Sequence, residues 1–450
     1  MAVLNIDDTI MKLSKKCIAN RIDPELYTKH QANRGLRDPN GKGVLTGLTE
    51  ISTMNGMKSI DGVRTPCEGE LLYRGYDIKD LVNGFTSDGR FGFEETTYLL
   101  LFGNLPNKQE LNEFNNLIAR YRTLPKNFIR DVILTSPSKD LMNSLARSVL
   151  MLYSYDENAN DISIPNVLDQ CLHLIAEMPR LAVYSYQALR HYIQDKSLYI
   201  HYPDPDLSTA ENILRMLRSN KKYTDLEAKV LDMALVLHAE HGGGNNSTFT
   251  THVVTSSGTD TYSATAASLC SLKGPKHGGA NAKVMGMFDV IKKEVKNWDD
   301  DEEISACLNR IVNKELYDKA GLIYGMGHAV YTKSDPRAVI FEEYVAKLSK
   351  EKERTDEYRL YANVARLAPS IIGGKKHLVK DISPNVDFYS GFVYDMLNLP
   401  KELYTPIFAV ARMSGWAAHR IEELNNSSKI IRPAYMSVQD NREYIALDNR

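Results

Sequence analysis

The chain has 450 residues, enough for one large or two unequal domains, and its 43% hydrophobic and 25% charged content is ordinary for a globular protein. With 55 Lys and Arg against 57 Asp and Glu, the net charge is −2, so no overall basicity predicts a nucleic-acid or anionic-membrane partner. No run approaches the roughly 20 apolar residues of a membrane span.

The cysteines and the N-terminus indicate the compartment. The five cysteines are scattered without a C-x-x-C pair, which predicts buried free thiols rather than a disulfide framework or a cysteine zinc site. The N-terminus MAVLNIDDTIMKLSKKC lacks an apolar signal core and fits secretory and mitochondrial leaders poorly. We therefore expect a cytoplasmic protein.

The first part of the chain is predicted to contain strands and turns. Within residues 34–76, Asn55-Gly56 and Asp61-Gly62 are turn dipeptides, and Glu70–Tyr73 is short and strand-like. From about residue 94 the pattern becomes helical almost to the end.

Four helices are predicted from local signals. One starts at Phe93 and stops at Gly103, and a capping box at Thr224 opens a second that runs to His238. Residues 262–272 and 406–424 mix small and apolar side chains, which predicts central helices with closely packed backbones. The charged stretches 299–303 and 350–357 are predicted to be solvated helix ends and loops, so the fold class is mainly α.

The first of four glycine-flanked polar clusters is His238-Ala-Glu-His241-Gly-Gly-Gly-Asn-Asn. Glycines after a helix permit positive φ angles and let backbone amides approach a ligand. The cluster does not match the H-E-x-x-H metalloprotease signature, and no third ligand is evident, which argues against a metal. Taken alone, histidines that end a core helix explain the pattern better.

Three further clusters also present a His or Asp at a helix end. His277 lies in Gly-Pro-Lys-His-Gly-Gly, His328 lies in Gly-Met-Gly-His before Asp335-Pro-Arg337, and Asp387 lies in Pro-Asn-Val-Asp. Each alone would more often be a structural turn, but four together predict a site. No G-x-G-x-x-G or phosphate-loop motif accompanies them.

These residues resemble the citrate synthase family from about residue 45 to the end. The segment Gly325-x-Gly-His328-x-Val-x-x-x-x-Asp-Pro-Arg337 is similar to the family signature, and the other clusters follow in the family's order. The resemblance implies a large helical domain of residues 1–278 and 398–450, and a smaller helical domain of residues 279–397. The active site would lie in the cleft between these two domains. The chain would form a homodimer in which Arg432 reaches the neighbouring subunit's site.

The same resemblance implies condensation of acetyl-CoA with oxaloacetate and hydrolysis of the thioester, an acyltransferase reaction. Asp387 would be the base, His277 the donor to the thioester oxygen, and His328 the donor to the ketone oxygen. Oxaloacetate would be held by His241, Arg337, Arg412 and Arg432, because a guanidinium binds a carboxylate bidentately. We expect no metal and no cofactor, since acetyl-CoA is a substrate.

Coenzyme A would lie against a loop and two lysines. By resemblance these residues are Leu322, Ile323, Tyr324, Gly325, Met326, Gly327, Lys333 and Lys380. The chain departs from the family pattern at Thr332, where some relatives carry an arginine, and at Gly242, where an acid often follows the first histidine.

Three alternatives stay open. A 2-methylcitrate synthase would use propionyl-CoA on the same scaffold, and one methyl group changes selectivity by only about 1–3 kcal/mol. A catalytically silent regulatory homologue predicts loss of His277, His328 or Asp387, although all three are present. A metal-dependent hydrolase would use His238 and His241.

Overall fold

The computed structural model describes residues 8–38, 41–60, 63–376, 382–426 and 429–450. The chain divides into two compact units, Met1–Leu48 and Thr49–Arg450. The first contains α1 (Asp8–Ala19) and α2 (Pro24–Lys29). Helices dominate the second unit, which confirms the mainly α prediction. None of the described helices is long and apolar enough to cross a membrane.

The second unit begins with an antiparallel sheet of β1 (Ser52–Ile60), β2 (Val63–Tyr73) and β3 (Tyr76–Asp77). The predicted strand at Glu70–Tyr73 is confirmed, but the turn at Asn55-Gly56 is wrong. That dipeptide lies inside β1, where the register with β2 breaks between Asn55 and Met57. Asp61-Gly62 lies outside the described residues. Glycine suits bulges as well as turns, so the dipeptide alone did not distinguish them.

The helices account for most of the remaining chain. In order they are α3 (Ile78–Ser87), α4 (Phe93–Phe102), α5 (Lys108–Tyr121), α6 (Leu141–Leu152), α7 (Ile164–Tyr192), α8 (Thr209–Leu217), α9 (Asp225–His238), α10 (Asn246–Thr255), α11 (Thr261–Lys273), α12 (Ala280–Glu294), α13 (Asp301–Val312), α14 (Pro336–Glu351), α15 (Thr355–Lys376), α16 (Val386–Met396) and α17 (Tyr404–Asn426). A π-helix spans Ile129–Leu134, and short 3-10 helices span Tyr153–Tyr155, Lys401–Leu403 and Leu447–Asn449.

The four helices predicted from local signals are α4, α9, α11 and α17. Gly103 ends α4 with a left-handed φ of 87°, and Thr224 and Glu227 form the expected capping box on α9. Helix α17 is buried from Tyr404 to Arg420 apart from two positions, and it packs against α4, α7, α9, α10 and α11. Its small residues therefore do mark a central helix.

Two predictions about organisation have different outcomes. The five cysteines are free, but Cys17 and Cys270 are exposed, so burial was predicted correctly only for Cys171 and Cys307. The proposed domain boundaries at 278 and 397 both fall inside the second unit. Helices α12 and α14 pack against α16, and α13 packs against α15. The division into large and small domains stays a prediction.

Candidate active site

The four glycine-flanked clusters meet where several helices end. His241 follows α9, His277 lies between α11 and α12, His328 precedes α14, and Asp387 is in the first turn of α16. The rings of His241 and His328 are 5.0 Å apart, and Arg412 lies close enough to influence the charge of both His277 and Asp387. The structure therefore brings these four residues and Arg412 together from distant parts of the sequence.

Asp387 has the electrostatics of a base. Asn385 caps α16 by accepting the amide N–H of Asp387 at 3.0 Å, which fixes the start of the helix. The pKa of Asp387 is raised to about 6, chiefly by burial; Arg337 and Arg412 oppose the rise, whereas Asp335 adds to it. A carboxylate with this pKa is ionised at neutral pH and more basic than an exposed one.

His277 is a neutral ring with a defined acceptor nitrogen. Its Nε2 accepts the backbone N–H of Ser247 at 3.4 Å, and the Ser247 hydroxyl lies 3.0 Å from the same atom. Burial, reinforced by Arg412, lowers the pKa of His277 to about 4. The neutral ring therefore carries its proton on Nδ1, which is the donor available for a ligand oxygen. The buried Trp416 supports this arrangement by donating its Nε1–H to Ser247 Oγ at 3.2 Å.

His328 is held by its own loop. Its Nδ1 accepts the backbone N–H groups of Val330 at 3.0 Å and Tyr331 at 3.3 Å, which places the proton of a neutral ring on Nε2. The ring stacks on Tyr331 with centroids 4.7 Å apart. The Tyr331 hydroxyl also lies 3.2 Å from Nε2 of buried His241. Burial and the nearby Arg337 hold the pKa of His241 well below its usual range.

The hairpin of β1 and β2 supports the loop that carries His328. Thr332 is buried and donates its hydroxyl to the carbonyl oxygen of Gly56 at 3.0 Å, and the Gly69 N–H donates to Ser334 Oγ at 3.1 Å. A β-carbon on Gly56 would stand 2.4 Å from the carbonyl oxygen of Val330. The two glycines thus allow a close backbone approach that a side chain would prevent.

Arg337 and Arg412 are buried cations with different partners. Arg337 forms a two-pronged ion pair with Asp335, with Nε–Oδ1 at 3.0 Å and Nη2–Oδ2 at 2.7 Å. Arg412 donates Nε–H to the His238 carbonyl oxygen at 2.7 Å, while its buried Nη1 and Nη2 have no hydrogen-bond partner among the described residues. Buried donors are almost always paired, so these two nitrogens indicate an anionic ligand.

Glu240 supplies negative charge behind Arg412. Burial alone would raise the pKa of Glu240, but His419, Arg412 and Ser52 together lower it to about 2. Its Oε1 accepts from the Gly242 amide and, at 3.0 Å, from the Ser52 hydroxyl. Gly242, where the chain departs from the family pattern, thus contributes to this network through its backbone amide.

His238 does not belong to the ligand-facing set. Its Nδ1 lies 2.8 Å from the Ala234 carbonyl oxygen, and its ring packs between Phe341 and Phe408. Neither His238 nor His241 belongs to the one group of described residues with metal-ligand spacing. His238 is thus a core residue that ends α9 and presents its carbonyl oxygen to Arg412.

The predicted coenzyme loop is joined to the segment that carries Asp387. Asn385 N–H donates to the Gly325 carbonyl oxygen at 2.8 Å, and Gly327 N–H donates to the Ser383 carbonyl oxygen at 2.7 Å. Gly325 and Gly327 have φ angles of 80° and 84°. These contacts occupy part of the backbone predicted to read the adenine, which leaves Leu322, Ile323, Tyr324 and Met326 as the remaining part of the loop.

Three predicted residues are not placed at the site. Lys333 is exposed, Arg432 is exposed in the C-terminal segment, and Lys380 lies outside the described residues. The sequence reasoning did not assign roles to Glu240, Ser247, Tyr331 or Asp335. Three of these lie inside the four clusters or the 325–337 segment, and Ser247 directly follows the first cluster. Their position next to the predicted site residues could therefore have identified them.

Comparisons with known proteins all point to one family. The family described as "Citrate synthase, C-terminal domain" matches residues 39–434. The chain is 34% identical over 417 residues to the citrate synthase of Haloferax volcanii, covering 91% of this chain and 98% of that one. It is 33% identical over 391 residues to the citrate synthase of Synechocystis sp., covering 85% and 89%.

One similar structure contains ligands. The citrate synthase of Thermoplasma acidophilum, solved as a ternary complex with carboxymethyl coenzyme A and oxaloacetate, superposes with a TM-score of 0.73 at 27% identity. The match covers 92% of this chain and 98% of that one. A 2-methylcitrate synthase of Corynebacterium glutamicum is also similar, at 30% identity over 413 residues, covering 91% of this chain and 96% of that one.

Proposed function

The chain belongs to the citrate synthase family and is an enzyme of that type, and we propose that Asp387, His277 and His328 condense acetyl-CoA with oxaloacetate. The observation that carries the assignment of roles is that a carboxylate of raised pKa and a histidine of lowered pKa both lie close enough to Arg412 to be influenced by its charge. Abstraction of a methyl proton next to a thioester needs such a base and donor together.

The first half of the reaction uses Asp387 and His277. The Asp387 carboxylate takes a proton from the methyl carbon of acetyl-CoA, and Nδ1–H of His277 donates a hydrogen bond to the thioester oxygen as the enol forms. A neutral donor suits an enol better than a cation does. The Ser247 amide at Nε2 favours this tautomer, because it donates to the nitrogen that must stay unprotonated.

The second half uses His328 and the arginines. The enol carbon attacks the ketone carbon of oxaloacetate, and Nε2–H of His328 stabilises the oxygen that becomes an alkoxide. Water then cleaves the thioester and releases the CoA thiol. The unpartnered Nη1 and Nη2 of Arg412 support its assignment to one substrate carboxylate. Arg337 and His241 would contact the same substrate.

We further propose that the enzyme is a homodimer in which Arg432 completes the partner's site. The segment around Arg432 carries highly exposed apolar side chains, with Tyr435 95% and Tyr444 85% accessible, and a second subunit would cover them. The free cysteines are consistent with the reducing cytoplasm, where we place the enzyme in the tricarboxylic acid cycle. Lys333, Lys380 and the 322–327 loop are proposed to bind the coenzyme.

A thiol-release assay tests the proposal. Purified protein is mixed with acetyl-CoA with and without oxaloacetate, and propionyl-CoA is run in parallel. Release that requires oxaloacetate and favours acetyl-CoA supports citrate synthase, and a propionyl preference would support the alternative, 2-methylcitrate synthase. Absence of release with both would indicate a catalytically silent homologue and contradict the proposed roles.

A further inference from the structure

A second cluster of ionisable side chains lies next to Glu240, the residue that precedes His241. His252 is on α10, while His419 and Glu422 are on α17, one helical turn apart. Nε2 of His252 lies 3.0 Å from Nδ1 of His419, and Oε1 of Glu422 lies 3.7 Å from the same Nδ1. The three atoms all fall within 4.8 Å of one another. The proposed reaction uses none of them.

The outer nitrogen of each ring faces a carboxylate. Nδ1 of His252 lies 2.7 Å from Oε2 of Glu423, and Nε2 of His419 lies 3.1 Å from Oε1 of Glu240. A carboxylate accepts, so each outer nitrogen carries the ring proton. The two inner nitrogens then face each other with lone pairs at 3.0 Å, which is repulsive unless a cation or a proton lies between them.

Glu422 distinguishes these two possibilities. Its Oε2 accepts the backbone N–H of Glu50 at 2.9 Å, which orients the carboxylate. Its Oε1 is buried and has no hydrogen-bond partner among the described residues. A proton shared by the two rings would leave this oxygen only a distant ion-pair partner, 3.7 Å from His419 Nδ1 and too far for a hydrogen bond, whereas a metal ion would use it as a third ligand.

We propose that His252, His419 and Glu422 bind one divalent transition-metal ion of the zinc type, with Glu423 and Glu240 orienting the two rings. Two nitrogens bound to zinc at about 2.05 Å in a tetrahedron stand about 3.3 Å apart, close to the observed spacing. Histidine ligands that donate their other N–H to a carboxylate are the usual arrangement around such ions. Water would complete the coordination.

The ion would tie α10 to α17 and, through Glu240, to the loop that carries His241. His252 and Glu422 are only partly buried, with side chains 13% and 12% exposed, so an ion can enter from solvent. The site departs from the sequence expectation of no metal, which considered the cysteines, His238 and His241 but not these three residues. It does not depend on the proposed function, because the ligands do not touch the reacting groups.

The test measures zinc binding by the full chain. Protein stripped with EDTA is titrated with Zn²⁺ against a chromogenic chelator, and we expect one ion per chain. His252→Gln and Glu422→Gln should each weaken binding at least about 100-fold, since loss of an outer partner alone costs about 10–100-fold. His30→Gln and Cys270→Ser, which change an exposed histidine and an exposed thiol, should bind like the unmodified chain.

Two readouts guard against misfolded variants. Circular dichroism in EDTA checks that each variant is folded, and Zn²⁺ should raise the melting temperature of the unmodified chain but not that of His252→Gln. Mg²⁺ should produce neither effect, because it prefers oxygen ligands. No uptake of Zn²⁺ by the unmodified chain would overturn the proposal in favour of a shared proton. If the folded variants His252→Gln and Glu422→Gln bound Zn²⁺ as tightly as the unmodified chain, the ion would have to lie elsewhere. That result would also overturn the proposal.

Discussion

Replacing Asp387 by Asn should abolish turnover and at the same time stabilise the fold. Asn is nearly the same size but cannot accept a proton from carbon. General-base catalysis contributes about 10²–10⁴-fold, so we expect kcat to fall by at least about 10²-fold. The affinity for oxaloacetate should change little, because the residues proposed to bind its carboxylates do not include Asp387.

The stability gain follows from the raised pKa. Burial moves the pKa of Asp387 from 3.8 to about 6, which corresponds to about 3 kcal/mol spent on ionising the folded state at neutral pH. Partial exposure of the side chain reduces this to about 1–2 kcal/mol. Because the folded pKa is the higher one, the unmodified chain loses stability as pH rises from about 4 to above 6. The advantage of Asn should therefore appear at pH 7 and vanish below about pH 4.

The assays are thiol release for turnover, calorimetry for oxaloacetate binding, and urea unfolding at both pH values. Asp395→Asn is the matched control, since Asp395 is near the other end of the same helix and is paired with Arg354 at 2.7 Å. That variant should stay active and gain no stability at pH 7. In the unmodified chain, kcat/KM should fall about tenfold per pH unit below about 6. Retention of turnover within tenfold by Asp387→Asn would refute the assignment of the base.

Arg412→Gln should weaken oxaloacetate binding about 100-fold, because two charge-assisted hydrogen bonds are lost at about 1.5 kcal/mol each; unchanged affinity by calorimetry would contradict its role. Tyr331→Phe removes the hydroxyl 3.2 Å from His241 but keeps the stacked ring, so the KM for oxaloacetate should rise only about fivefold. A loss in kcat of more than tenfold would contradict the view that this hydroxyl only positions His241. Gly325→Ala should lower the free energy of unfolding in urea by at least about 2 kcal/mol. The φ angle of Gly325 is 80°, and an added β-carbon would stand 2.9 Å from Cα of Phe388, the residue after Asp387. Gly373 lies inside α15 with open space where a β-carbon would stand, so Gly373→Ala should instead raise the free energy of unfolding by about 0.5–1 kcal/mol. If both glycine variants changed stability equally, crowding at Gly325 would not explain its loss.

The sequence predicted the features that depend on local chemistry. The capping box at Thr224, the glycine stop at Gly103 and the His and Asp residues at helix ends follow from neighbours a few positions away. The ordered motifs then placed Asp387, His277 and His328 in one site. The family resemblance supplied the roles, which local patterns alone leave open.

Long-range contacts could not be predicted in this way. His252 and His419 are 167 residues apart, and nothing near either one indicates the other. Asn55-Gly56 was misread because the close approach of Val330, which explains the glycine in β1, is a tertiary contact. Arg337 and Asp335 both lie in the 325–337 segment, but their two-pronged ion pair could not be predicted from it. That geometry depends on Asp335 being the N-cap of α14, where it also accepts the Arg337 amide N–H.

The support of the His328 loop by the β1–β2 hairpin also bears on biosynthesis. The bond from Thr332 to Gly56 joins residues 276 positions apart. At about 5–20 residues per second, a ribosome needs roughly 14–55 s to deliver the second partner after the first. Throughout that interval the hairpin has emerged without the loop it will hold, and its exposed strand edge can pair with other nascent chains. Chaperone binding to this region during translation would therefore protect the enzyme's yield.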